Sequence, residues 1–391
     1  MKKIIMIFLG FSLMAFGMSY TKFKKHTRKY AKTLQSQALN VAKTEQENRR
    51  VLRTPNPSLE LELGRYDPKF SDVAYGYSMG ASQTIRTNGY FNALENKAEA
   101  KTLLARAYQI EGKAKYMQTL DRLYTEYVYQ SKMLQLLSQE IKLSQKMRRI
   151  AKERYLSGSD TKVTYLQAKT QTLRLKTEVH TTKQAINRLY YKLLAMGGYS
   201  KKVSLSKKFL YSVSSNTKKS RRETSQEKIL LAKEKLYASE LQMHENRFSS
   251  YNINAGLEKE PDQSILRLGI SIPLPLRHNK EEEKALSRLK MQQLKLDRGQ
   301  LTLNIESQKQ SYKSAISELS QQYQALRALK KEQQSLSNLL TEGYKMAQGS
   351  LFELMLTKNR LIQTKKSLLQ TQKEINNQKI ELHYLQGGYN D

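Results

Sequence analysis

Residues 58–64 read Ser-Leu-Glu-Leu-Glu-Leu-Gly, so an extended segment here carries leucines on one face and acids on the other. Residues 73–82 repeat the alternation. Val73, Tyr75, Tyr77, Met79 and Ala81 face one way, and Gly76, Ser78, Gly80 and Ser82 the other. The turn residues Asp67, Pro68 and Asp72 separate the two segments, which predicts a hairpin over 58–83. Half a chain later, over 249–275, the pattern returns. Tyr251, Ile253, Ala255 and Leu257 alternate with Asn252, Asn254, Gly256 and Glu258. Beyond Pro261-Asp262, Leu266, Leu268, Ile270, Ile272 and Leu274 alternate with Arg267, Gly269, Ser271 and Pro273. Each segment is about ten residues long, the length of a tilted membrane-spanning strand.

The rest of the chain reads as long helices. Among 391 residues there are only 17 Gly and 6 Pro, with no Trp and no Cys, so little interrupts helix formers. A mean hydropathy of -0.68 leaves these helices narrow apolar seams rather than one thick core. A helix is predicted from Thr27, a candidate N-cap, to Leu52, stopped by Thr54-Pro55-Asn56-Pro57. A very long one follows from Asn88 to Glu153, with Leu103, Ala107, Ile110, Ala114 and Met117 at coiled-coil spacing. It breaks at Leu156-Ser157-Gly158-Ser159-Asp160, and another helix runs from Thr161 to Met196 before Gly197-Gly198-Tyr199.

The second half follows the same plan. Helices are predicted over 223–247, 280–341 and from the second corner to Gly387-Gly388-Tyr389, with Leu319, Tyr323, Leu326, Leu336 and Leu340 on the long seam. The corners themselves match at an offset of 189, with Tyr155 over Tyr344, Val163 over Phe352 and Leu166 over Met355. The chain therefore divides into a leader (1–17), a first repeat (18–199, corner 154–161), a basic connector (200–222) and a second repeat (223–391, corner 343–353). A helix of about 60 residues is roughly 90 Å long, so it can lie beside two shorter helices stacked end to end. The corners would then be far from the strands.

The alternating segments have no second apolar layer to meet, and four strands are too few to close a barrel. They suit a barrel assembled from several chains, with apolar residues toward lipid and polar residues toward a wet lumen. Two soluble hairpins capping a coiled coil are the other reading. At the N-terminus, Lys2 and Lys3 precede an apolar run from Ile4 to Gly17 that ends Ala15-Phe16-Gly17, as in a secretory signal peptide. A single membrane anchor is the alternative, although the run falls short of the ~20 residues that spanning needs. The net charge of +33, from 68 basic and 35 acidic residues, first suggests nucleic acid or an anionic surface. Its spread among Gln, Glu and Ser along helices instead reads as solvated faces.

The ordered set of features resembles the TolC-like outer membrane efflux proteins, within them the group serving heavy-metal and other cation efflux. The residues carrying the resemblance are Pro55-Asn56-Pro57-Ser58-Leu59, Gly269-Ile270-Ser271-Ile272-Pro273-Leu274-Pro275-Leu276 and the two corners. In the corners these are Tyr155-x-x-Gly158 with Leu166-x-Ala168, and Ser350-Leu351-Phe352-Glu353-Leu354. The resemblance implies a mainly α fold with a small β part. Three chains would form a helical tunnel and one twelve-stranded transmembrane barrel. It implies a homotrimer in the outer membrane of a Gram-negative bacterium, with outer-membrane lipid around the barrel and the helical part in the periplasm. A periplasmic adaptor and an inner-membrane pump would be its partners, with no catalysis, cofactor or nucleic acid.

On this pattern Glu353, Tyr344 and Asp160 are candidates for the tunnel-mouth constriction. Arg148, Arg149, Arg154, Tyr155, Gly158, Ala347, Gly349 and Ser350 are candidates for adaptor docking. Departures from the pattern are Ala347 in place of the corner glycine, and Leu356 where some members carry a second acid. Three copies of Glu353 in a ring would attract cations. The five histidines are scattered, without a second ligand one helical turn away, and no thiolate accompanies them, so no metal site is expected. Met117, Met133 and Met147 read as seam packing rather than a copper path.

Overall fold

A computed structural model describes residues 18–67, 72–214, 222–274, 279–346 and 350–390. The leader 1–17, the centre of the first hairpin turn with Pro68, the connector from 215 to 221, the Pro275-Leu276 end of the strand motif, and Ala347 and Gly349 lie outside the described residues. Eleven elements follow in chain order: α1 (Tyr20–Tyr30), α2 (Lys32–Leu52), β1 (Ser58–Tyr66), β2 (Ala74–Arg86), α3 (Asn88–Leu156), α4 (Lys162–Gly197), α5 (Ser225–Glu245), β3 (Ser250–Lys259), β4 (Ser264–Ser271), α6 (Glu281–Lys345) and α7 (Leu351–Leu385).

The four strands form one antiparallel sheet in the order β1-β2-β3-β4, so β2 of the first repeat pairs with β3 of the second. The register aligns Leu61, Met79, Leu257 and Leu266 in one row across all four strands. The next row on that face is Leu59, Ala81, Ala255 and Leu268. On the opposite face Glu60, Gly80, Gly256 and Arg267 align in the same way. Strand β2 runs four residues beyond the expected Ser82, because Gln83, Thr84, Ile85 and Arg86 find partners in β3. Strand β4 instead stops at Ser271, short of the expected Leu274. Pro273, which has no N–H for a ladder, stands just past that stop.

The 69-residue α3 is the spine, about 100 Å long. It packs against α2 and α5 toward the sheet and against α4 and α7 toward the corners, while α6 packs on α5 and then α7. One continuous helix thus lies along two shorter ones in each repeat. Asn48 of α2 donates to the Ala98 carbonyl of α3 at 2.6 Å near the sheet. Farther along, Ser144 of α3 meets Thr172 of α4 at 2.8 Å. Among the described residues, no helix is long and apolar enough to cross a membrane.

The first helix departs from expectation. Thr27 is not an N-cap. The chain turns helical at Tyr20, where the Ser19 hydroxyl accepts from the Lys22 N–H, and Thr27 lies inside the helix with its hydroxyl donating to the Phe23 carbonyl. The helix breaks at Ala31 and restarts as α2. The physical reason is aromatic burial. Tyr20, Phe23 and Thr27 share one face, and Tyr20 stacks on Tyr124 of α3 at 3.7 Å between ring centroids.

Both Gly-Gly-Tyr stops work alike. Gly198 and Gly387 adopt φ of 70° and 68°, a left-handed conformation that costs a residue with Cβ about 1–2 kcal/mol. Each helix closes with the paired backbone bonds of a Schellman motif. Tyr199 then stacks on Phe23 and His26, and Tyr389 is buried beside Asp121. These stops sit at the level of the largest apolar cluster, formed by Tyr20, Phe23, Met117, Leu120, Tyr124 and Leu193 with their neighbours.

Candidate functional site

The four helices α3, α4, α6 and α7 converge at the corner end on Met147, Ala151, Ala168, Tyr344 and Leu354. The first corner is a tight turn. Ser159 N–H donates to the Arg154 carbonyl at 2.8 Å and Gly158 N–H to Tyr155 at 3.2 Å. Gly158 has φ of 73° with no atom near its missing Cβ, so the glycine serves backbone conformation rather than space. Thr161 then caps α4, its hydroxyl accepting from Thr164 N–H, and the Asp160 carboxylate accepts from Thr161 N–H at 2.8 Å. Tyr155 stacks parallel to Tyr165 across the turn at 6.2 Å.

Above this apolar cluster the two corners also meet through a charged contact. The Arg154 guanidinium lies over the Tyr344 ring, 4.6 Å from its centroid, a cation–π geometry. Tyr344 is buried under it, and Leu354 of α7 belongs to the same cluster. Burial pushes the Tyr344 phenol up, Arg154 opposes this, and Asp160 adds to it. That places Asp160, Arg154 and Tyr344 in one electrostatic group. Glu353 is exposed on the first turn of α7. Arg149, Tyr155 and Ser350 are exposed, whereas Arg148 and Arg154 are half-buried.

At the other end, the sheet leaves its apolar face uncovered. Leu63 is 91 % exposed, Leu268 77 % and Tyr75 74 %. Among the described residues, the outer edges of β1 and β4 have no strand partner. Along α6, Leu289, Leu296 and Leu303 also lie open at heptad spacing.

A sheet of this order on paired helices of this length, with a corner at the far end of each pair, recurs in solved structures. The chain has the fold of the outer-membrane channels. The outer membrane protein VceC from Vibrio cholerae superposes with a TM-score of 0.78 at 11 % identity, over 94 % of this chain and 95 % of that one. CusC superposes at 0.78 and 13 % identity, over 95 % and 93 %. The open state of the MtrE outer membrane channel of Neisseria gonorrhoeae superposes at 0.73 and 12 % identity, over 94 % and 88 %. No family model and no curated protein matches at the level of sequence. The architecture is shared while most side chains differ.

Sequence reasoning missed the polar clamp between the corners and the sheet. Asp121 of α3 is buried and accepts from Tyr20 and Tyr389 hydroxyls, each at 2.6 Å, and from Lys24 at 2.9 Å. One carboxylate thereby ties the start of the described chain and its C-terminal Gly-Gly-Tyr to the spine. The signal was present. Ala114, Met117, Asp121, Tyr124 and Val128 continue the seam spacing, and a lone acid in a seam must have a partner. A second buried acid, Glu111, accepts from Tyr384 at 2.8 Å and from Ser225, with Lys115 at 2.8 Å. Among the described residues no group of His, Asp and Glu is arranged to hold a metal ion.

Proposed function

We propose that this chain is one protomer of a trimeric exit duct in the outer membrane of a Gram-negative bacterium. It would carry substrate from an inner-membrane pump and periplasmic adaptor to the outside. The observation that carries this reading is the sheet: four strands with an open apolar face, a polar opposite face and two unpaired edges. Three copies joined edge to edge give twelve strands, enough to enclose a wet lumen, with Leu63 and Leu268 facing lipid. The open leucines of α6 support the same assembly, since a neighbouring helix would cover them.

The duct needs no chemistry of its own. Its work is to hold an open path, with energy supplied by the pump. The corners form the periplasmic mouth, where Arg148, Arg149, Arg154, Tyr155, Gly158, Ala347, Gly349 and Ser350 would meet the adaptor. Glu353, Tyr344 and Asp160 would govern the constriction. In this reading Tyr344 acts as a post beneath Arg154, and Glu353 supplies the charge facing the path. Metal cations or small toxic compounds are the proposed cargo.

The test is fractionation of cells expressing the full chain. A heat-modifiable trimer is expected in the outer membrane, and a trimer found only in the soluble periplasm would refute the reading. In planar bilayers, Glu353→Gln should lower cation-over-anion permeability about two-fold or more, since a three-fold ring of like charge is removed. Unchanged conductance and selectivity would remove Glu353 from the constriction.

A further inference from the structure

The basic residues of this chain are unevenly placed, and folding concentrates them. From Met18 to Thr44 there are seven Lys or Arg and no acid, and from Val179 to Ser214 there are again seven and no acid. These two stretches meet in space. Met18 bridges Leu205, with Met18 N–H donating to the Ser204 carbonyl at 2.6 Å, and His26 Nδ1 contacts the Gly197 carbonyl at 3.1 Å. The aromatic face of α1 is buried against the helical wall, so its other face is turned out. That face carries Lys22, Lys25, Arg28 and Lys29, and Lys32 opens α2 just beyond it, all exposed. Beside it Lys192, Lys201, Lys202, Lys207 and Lys208 are exposed on the end of α4 and the connector.

Nearby acids do not neutralise this collar. Asp121 is buried and engaged by Lys24, Tyr20 and Tyr389, and Glu126 and Glu381 lie against Lys373 and Arg122. Among the described residues, none of the ten exposed cations lies within salt-bridge distance of a carboxylate. The described part of the connector is bonded to the helices. Asn376 of α7 brackets Tyr211, receiving its N–H at 2.8 Å and donating to its carbonyl at 3.1 Å. The Tyr124 hydroxyl donates to the Ser206 carbonyl at 2.8 Å. The collar is a built layer added to the tunnel wall, and a conducting tunnel requires that layer on its outside.

We infer that this collar binds the carboxylate-bearing mesh of the cell wall, the peptidoglycan through which a periplasmic shaft must pass. The inference rests on the exit-duct reading. Position selects the partner among polyanions. The collar lies one α2 length from the sheet, 21 residues or about 30 Å. That is several times the Debye length of roughly 8 Å at physiological salt, so lipid headgroups around the barrel are out of its reach. Nucleic acid is not the polymer of that compartment. A ring of flexible lysines suits a loose mesh of carboxylates, which offers charge without fixed geometry.

The test is co-sedimentation of the detergent-purified full-length trimer with isolated sacculi. Binding is expected at about 0.15 M salt, with steep weakening at higher salt. The combined variant Lys22→Gln, Lys25→Gln, Arg28→Gln, Lys201→Gln and Lys202→Gln should bind about ten-fold or more weakly. Sacculi with amidated carboxylates should lose the wild-type protein to a similar degree. Arginine at the same five positions should retain binding, which separates charge from misfolding. Wild-type protein that ignores sacculi, a glutamine variant that binds them equally, or equal capture by anionic vesicles would overturn the inference. Channel conductance is read in parallel. A conducting trimer that ignores sacculi sinks only the collar, whereas a protein forming no channel sinks the exit duct.

Discussion

Asp121→Ala is expected to release both ends of the described chain from the spine. The Asp121 carboxylate is buried and accepts from Tyr20, Tyr389 and Lys24 at once. Removal orphans two buried hydroxyls, at about 1–3 kcal/mol each, and leaves Lys24 without its counter-charge. Breaking a buried ion pair costs about 3–5 kcal/mol, and Lys24 is 23 % exposed, so the lower end applies. Taking the lower ends, about 2 kcal/mol for the two hydroxyls and about 3 kcal/mol for Lys24, the total of about 5 kcal/mol is several thousand-fold in the opening equilibrium of α1. Tryptic cleavage within α1 under native conditions should accelerate accordingly, and amide exchange there should lose most of its protection. Unchanged cleavage and exchange would show that the aromatic stack alone holds α1.

The same clamp has a pH limit whose sign follows from its phenols. Burial first, and then the charge of Asp121, push Tyr20 above its usual value of 10.0, and Tyr389 is raised by the same causes. A group with a raised folded-state pKa contributes stability that is complete below the unfolded value. That contribution is lost as pH rises above about 10. Alkali should therefore loosen α1 in wild type more than in Asp121→Ala.

Leu268→Arg is expected to abolish outer-membrane assembly. Leu268 stands on the apolar face, 77 % exposed and opposite Ala255. An arginine on the lipid face of a barrel costs about 2–4 kcal/mol near the midplane, and each trimer would contain three. The heat-modifiable trimer should fall at least ten-fold in the outer-membrane fraction. Glu60→Arg, on the opposite face and opposite Gly80, should assemble nearly as wild type, because its charge stays in water. If Leu268→Arg assembles normally, the apolar face does not meet lipid. A secreted coiled-coil protein would be indifferent to the change or made more soluble by it.

The sheet and long helices were legible because their periods are clean, two for Leu59-Leu61-Leu63 and three-four for Ala107-Ile110-Ala114. Gly158 announced the first corner, since a left-handed residue needs glycine. Helix α1 was harder to read, for six of its eleven residues are Lys, Arg or His, masking the face of Tyr20, Phe23 and Thr27. The clamp at Asp121 joins residues up to 268 positions apart, so only the seam position of one acid hinted at it. The contact of Arg154 with Tyr344 likewise depends on two corners meeting in space, which no local pattern encodes. Roles at the corners rest on partners that a single chain does not contain.

The pairing of β2 with β3 also constrains how the molecule is made. Thr84 and Asn252 are opposite one another and 168 residues apart. Joining strands so distant in sequence incurs the loop-closure entropy of everything between, and non-local pairing of this kind is slow. The helices, built from local contacts, can form as the chain emerges. The sheet cannot be completed until β4 has been synthesised, about two thirds of the way along. Helices α6 and α7 follow β4, so all four strands exist before the second repeat's shaft is finished, and their open apolar face must be kept from other chains until assembly.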